Sequence, residues 1–251
     1  MKFILFFILL FSIFSLCGQT NERMEIPTLG INDTIINHVG YSVSYNHKYR
    51  QANWVGYQLT KCETKKMFAR INKFKADPLI CGTDNGNDYE KSRYDRGHLA
   101  PAADMGFSEI TMLESFYYSN MSPQVPGFNR GIWKELEEQA RGWAIEYDSL
   151  YIVVGPVFSD SMDFIGPHCV AVPDAYFKVI LDNHKGKERM IGFLMGNERS
   201  GDCLESFVVS VDSLEVLTGI DFYSLLDDVL EEKLESTVLL GNWIWVISKS
   251  I

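Results

Sequence analysis

Apolar and polar positions alternate twice near the start of the folded chain. Residues 39–60, VGYSVSYNHKYRQANWVGYQLT, carry this alternation on either side of Asn46-His47, which predicts a β-hairpin. Residues 150–154 (LYIVV) form a continuous apolar run closed by Gly155-Pro156 and predict a buried strand. Residues 176–181 and 190–195 flank a polar turn at 182–188 and predict two more strands; residues 206–211 and 243–247 predict shorter ones. The period changes over residues 130–147. There Ile132, Trp133, Leu136, Ala140, Trp143, Ala144 and Tyr147 share one helical face, and Arg130, Lys134, Glu137, Glu138 and Arg141 the other. A second helix is expected over 108–118, capped by Ser108 with Glu109 in its first turn, and a third over 221–235. Residues 77–92, rich in Asp, Asn, Gly and Pro, read as a long loop. The strands cluster instead of alternating strictly with helices. That pattern predicts an α+β fold with a central, mostly antiparallel sheet flanked by helices.

The N-terminus departs from this pattern. Met1-Lys2 precedes the apolar run FILFFILLFSIFSL, followed by Cys17-Gly18-Gln19. One positive charge, a short apolar stretch and then small residues predict a secretory signal over 1–18. The run is short for a membrane span. The protein is therefore expected to be exported, periplasmic or secreted, with no membrane span in its mature form. A lipid anchor on Cys17 is the second reading, which bulky Leu16 disfavours. Residues 19–37 read as a loose lead-in and 38–251 as a single domain.

Four cysteines follow the signal: Cys62, Cys81, Cys169 and Cys203. An even number in an exported chain suggests two disulfides. The pairing Cys62–Cys81 with Cys169–Cys203 is favoured, with free buried thiols as the rival. No C-x-x-C pair is present, which argues against a structural zinc site.

The net charge of −10 argues against a broad nucleic-acid-binding face. A phosphate ligand would need a local basic patch in an otherwise repelling field.

Candidate chemistry concentrates at Asp95-Arg96-Gly97-His98, followed by LAPAADM. Gly97 permits close backbone approach. The apolar residues after His98 place its imidazole at the edge of buried chain, where a neutral ring suits a general base. Next comes SNMSPQVPGFNRGIWKELEEQAR, with Asn129 just before the long helix and Glu137 and Arg141 four residues apart on one face. An amide oxygen suits Mg²⁺, Glu137 suits one of the ion's waters, and Arg141 a phosphate. The same residues also fit a helix cap at Asn129 and a surface Glu137–Arg141 ion pair. His38, His47 and His184 read as solvated, and His168 as a structural loop residue.

Taken together, DRGH with LAPAADM, NWVGYQLT at 53–60, SNMSPQ at 119–124, FNRGIWKELE at 128–137, GPV at 155–157 and PDAYFKVI at 173–180 resemble the DNA/RNA non-specific endonucleases. The likeness runs from about residue 40 to 247. It implies a ββα-metal active site inside the 38–251 domain. His98 would be the general base, Asn129 the direct Mg²⁺ ligand (Mn²⁺ a possible substitute), and Glu137 a holder of the metal through water. Arg96 and Arg141 would contact phosphate, Asn120 would help position the site, and Asp95 would support the loop. The family often carries an arginine ahead of an aromatic-x-x-Asp-Pro stretch. Here FKADP occupies 74–78, and Arg70 is the candidate second phosphate clamp, with Asn72 and Lys73 nearby. The resemblance implies DNA and RNA backbones as partners and allows a homodimer. A catalytically inactive surface-binding descendant of the fold is the alternative.

Overall fold

The computed structural model describes residues 23–28, 30, 34–83 and 85–245. The predicted signal, the Cys17 anchor and residues 19–22, 29 and 31–33 of the lead-in lie outside them, as does the end of the predicted strand at 243–247.

Among the described residues seven strands form the main sheet: β1 (Ile35–Asn37), β2 (Ser42–Asn46), β3 (Gln51–Thr60), β6 (Ser149–Val157), β9 (Ala175–Asp182), β10 (Arg189–Gly196) and β11 (Val208–Val209). They stand in the order β1-β2-β3-β6-β9-β10-β11, and every neighbouring pair is antiparallel. The predicted hairpin is β2–β3, and the expected α+β class holds. Two small two-stranded sheets accompany it: β4 (Asp95–His98) with β5 (Met121–Gln124), and β7 (Phe164–Ile165) with β8 (Val170–Ala171).

Side chains alternate cleanly across the central strands, as a two-residue period requires. Val55, Tyr57, Ile152, Val154, Tyr176, Ile180 and Phe193 join one core. Trp54, Val153, Phe177, Val179 and Leu181 join the other. Helix α4 (Ile132–Tyr147) covers the first core with Trp133, Leu136, Ala140, Trp143 and Ala144. Helix α5 (Val211–Thr218) and the segment ahead of α6 (Asp228–Glu235) cover the second with Val211, Leu214, Phe222, Tyr223 and Leu226. The remaining helices are short: α1 (Gly86–Tyr89), α2 (Glu109–Glu114) and α3 (Pro126–Asn129). Ser108 caps α2 as expected, its Oγ accepting from Thr111 N–H at 3.1 Å.

Several expectations are corrected. The 108–118 helix ends at Glu114 and is followed by a 3₁₀ turn at Tyr118–Asn120. The helix expected over 221–235 occupies Asp228–Glu235 only; Tyr223 takes a positive φ of 58° and Asp227 caps the later start, accepting from Val229 N–H. The 77–92 loop contains α1. Within 206–211 only Val208–Val209 is strand. Residues 243–245 form no strand: Ile244 N–H donates to the Tyr147 hydroxyl oxygen, and the Ile244 carbonyl accepts from Gln139 Nε2 and Trp143 Nε1. Its backbone is thus satisfied by side chains of α4. Cys62, Cys81, Cys169 and Cys203 are free and exposed, so neither expected disulfide is formed and the rival reading of buried thiols fails too. His38 is not solvated. It is buried, 2.9 Å from Asp77 Oδ2, which also accepts from Ser119. His168 is structural as expected, bonded through Nδ1 and its backbone N–H to Asp88.

Candidate active site

β4 and β5 pair so that His98 lies opposite Met121, and α3 and α4 follow directly. This is the expected strand–strand–helix unit. Gly97 is required by protein packing: a Cβ there would strike the Gln124 side chain. The close approach foreseen for a ligand is made by Gln124 instead.

One cleft of about 390 Å³ brings the predicted residues together. Lys66, Arg70, Arg96, His98, Asn129, Arg130, Lys134, Glu137, Glu138 and Arg141 line it. The basic side chains outnumber the two acidic ones, so a local positive site exists on a chain of net charge −10.

His98 is 7% exposed. Its ring meets Phe116 edge-on at 5.0 Å and Phe74 at 5.9 Å. Its Nε2 has no partner among the described residues. Burial, with Arg70 nearby, lowers its pKa to about 3. The ring is neutral at physiological pH and keeps a nitrogen free.

Asn129 ends the one-turn helix α3. Its Nδ2 donates to Asp95 Oδ2 at 2.9 Å. Arg130 clamps the same carboxylate with Nε at 2.8 Å and Nη2 at 2.6 Å. Partial burial alone would raise the Asp95 carboxyl, but these donors hold it below its ordinary value. The cap of α4 is Gly131, so Asn129 is not that cap.

Glu137 and Arg141 do not form the surface pair. Arg141 Nη1 donates to the buried Asp104 at 2.7 Å, and Asp104 also accepts from Tyr57 Oη at 3.0 Å. Glu137 is half-buried. Burial raises its pKa to about 7, with Lys178 pulling it down and Asp104 adding to the rise. Lys178 is wholly buried, its Nζ 4.5 Å from the centre of the Trp133 ring and without a hydrogen-bond partner among the described residues. Burial lowers its pKa, opposed by Glu137 and Asp104.

Arg96 is held by stacking. Its guanidinium lies 5.2 Å from the Phe74 ring and 5.7 Å from Tyr89, and Nη2 donates to Gly86 O at 3.3 Å. Arg70 sits over Phe116 at 5.1 Å, with Nε donated to Asn72. Asn120 stays out of the cleft. Its amide brackets Ala100, Oδ1 accepting from that N–H and Nδ2 donating to that C=O, and so fixes the backbone just past His98. Sequence reasoning missed Lys66, Lys134, Asp104 and Lys178. The charged residue of PDAYFKVI inside an apolar strand was the one available signal for Lys178.

A cleft that pairs a free neutral imidazole with an oriented amide and several guanidinium groups defines a class: hydrolases acting on a phosphate-bearing substrate. A match to the family model for DNA/RNA non-specific endonuclease spans residues 18–229, and the chain belongs to this family of metal-dependent nucleases. It is 34% identical over 205 residues to a nuclease C1 of Cunninghamella echinulata var. echinulata (74% of this chain, 81% of the relative). It is also 34% identical over 225 residues to the mitochondrial endonuclease G of Caenorhabditis elegans (82% and 72%). The solved complex of EndoG with EndoGI matches with a TM-score of 0.76 at 31% identity, covering 81% of this chain and 90% of that one.

Proposed function

We propose that the protein is an exported, Mg²⁺-dependent endonuclease that cleaves DNA and RNA without reading sequence. The observation that carries the proposal is the shared cleft, in which the buried, unpartnered Nε2 of His98 and the amide of Asn129 stand among arginines.

The donor set fits a hard divalent cation. Asp95 occupies the Nδ2 of Asn129, which leaves Oδ1 as the acceptor for an ion; Glu137 adds carboxylate oxygen, and no sulfur of the described residues lines the cleft. A bound Mg²⁺ would supply positive charge where the phosphodiester becomes more negative. His98 takes the proton of the attacking water at Nε2. Arg70 and Arg96 hold phosphate oxygens, and Arg141, anchored by Asp104, adds charge beside Glu137. These groups meet phosphate and not base edges, so neither sequence nor sugar type is selected. Export is supported by the signal pattern of residues 1–18, with the lipid anchor on Cys17 as its variant.

The test is incubation of the mature protein with plasmid and with RNA, in Mg²⁺, Mn²⁺ or chelator. Degradation is expected in either ion and not in chelator. His98→Ala should lose roughly 10²–10⁴ of the rate while binding nucleic acid as before. A His98→Ala protein that still cleaves would remove the general-base role. Binding without cleavage by the unmodified protein would make it the inactive binder. Export is checked by N-terminal sequencing of the protein in the culture medium and periplasm, where loss of about the first 18 residues is expected.

A further inference from the structure

We propose a second divalent-cation site, distinct from the cleft, in which carboxylates of α5 and α6 bind Ca²⁺ and tie the two helices together. Asp212 and Glu215 project from one face of α5, and Glu235 ends α6. One carboxylate oxygen from each lies within 4.8 Å of the other two. Oxygens on opposite sides of a Ca²⁺ ion are about 4.6–5.2 Å apart, and nearer ones fall inside that span. The donors are all carboxylates, with no imidazole or thiolate, which selects a hard ion over a transition metal.

A group of acids alone would not point to a ligand; the burial of Glu235 does. It is 6% exposed, and its Oε1 has no hydrogen-bond partner among the described residues. The charges that weigh most on it are Glu215, Glu231, Asp212 and Asp221, all acidic. Glu231, one turn earlier on α6, also carries a buried Oε1 without a partner. Glu235 further stands at the negative end of its helix, where a cation is favoured and an anion is not. Glu235 hydrogen-bonds to Glu215, which also accepts from Phe222 N–H at 2.8 Å, so the acids are held against one another while one buried oxygen of Glu235 stays unpaired. A dication that accepts several oxygens at once resolves the conflict.

The site lies across the sheet from His98, because α5 packs on the face opposite α4. Binding there would fasten the C-terminal helix without touching the cleft.

The experiment uses the chelator-stripped full chain carrying Asn129→Ala, which disables the cleft ion, titrated with CaCl₂ by calorimetry and followed by thermal melting. One bound Ca²⁺ and a rise in Tm are expected. Adding Glu235→Gln or the half-exposed Asp212→Asn should weaken binding about tenfold or more. In chelator at mildly alkaline pH, Glu235→Gln should melt higher than its parent, because it relieves repulsion; in Ca²⁺ the order should reverse. Absence of Ca²⁺ binding, or binding indifferent to both substitutions, overturns the proposal and leaves a shared proton among the carboxylates. The dependence on Glu235 is independent of whether Asn129 holds the catalytic ion.

Discussion

The side-chain amide of Asn129 donates through Nδ2 to Asp95 Oδ2 at 2.9 Å. That single bond decides which end of the amide faces the cleft. A carboxylate accepts and never donates when ionised, so it selects the NH₂ end and turns the oxygen away. Under the proposed function, Asp95, the first residue of DRGH, would act on the ion through Asn129.

Asp95→Ala should therefore leave the fold in place and weaken Mg²⁺ binding by about 10–100-fold, the usual cost of losing a group that orients a ligand. Asp95→Asn keeps an acceptor oxygen and should lose less. Calorimetric titration of Mg²⁺ into both variants checks the order; equal affinities would show that the bond does not orient the amide.

The buried imidazole gives a stability prediction with a definite sign. His98 has a lowered pKa, about 3, in the folded chain, against about 6.5 unfolded. Between those values the unfolded chain takes up a proton that the native one refuses. The stability contribution is fully present above the unfolded value and is lost as pH falls toward the folded one, at up to about 1.4 kcal/mol per pH unit. Urea unfolding at about pH 5 and about pH 7 should show His98→Phe losing less stability than the unmodified protein over that interval. Identical losses would mean the ring is not held neutral.

Glu137 moves the other way. Its raised pKa, about 7, means the ion-free protein is stabilised below the ordinary carboxyl value and loses that stabilisation as pH rises through 7. Mg²⁺ needs the ionised carboxylate, so its affinity should climb over the same interval. Lys178 is the strongest of the cations holding Glu137 down, ahead of Arg141 and Arg70. Lys178→Met, which still packs on Trp133, should shift the midpoint of that climb upward by about one pH unit. An unmoved midpoint would separate Lys178 from the site.

The exposed, unpaired state of Cys62, Cys81, Cys169 and Cys203 predicts that all four react with a thiol reagent in the native mature protein, and that reductant leaves Tm unchanged. Fewer titrating thiols would reveal a bridge.

Much of this was legible in the chain. The helical stripe from Ile132 to Tyr147 and the alternation in residues 39–60 gave α4 and the β2–β3 hairpin, because local periodicity alone specifies them. The resemblance carried by DRGH and FNRG named His98, Asn129, Glu137 and the arginines, and all of these line one cleft. What stayed hidden depends on partners remote in sequence. His38 is buried because Asp77 and the rings of Tyr41 and Tyr117 enclose it. Arg141 turns to Asp104 and not to its helical neighbour Glu137. Residues 243–245 have the composition of a strand, but α4 side chains take their hydrogen bonds first.

β9 sends Tyr176, Lys178 and Ile180 toward α4 and Phe177, Val179 and Leu181 toward α5. Deleting or inserting one residue in this strand would swap the two sets. The ammonium that sits beneath Glu137 would then be driven among aliphatic neighbours with no counter-charge, while Phe177 or Val179 would arrive under the cleft. The strand's length is therefore fixed by the chemistry it underlies, whereas the connection at 183–188, joining β9 to β10 in solvent, is free to lengthen or shrink.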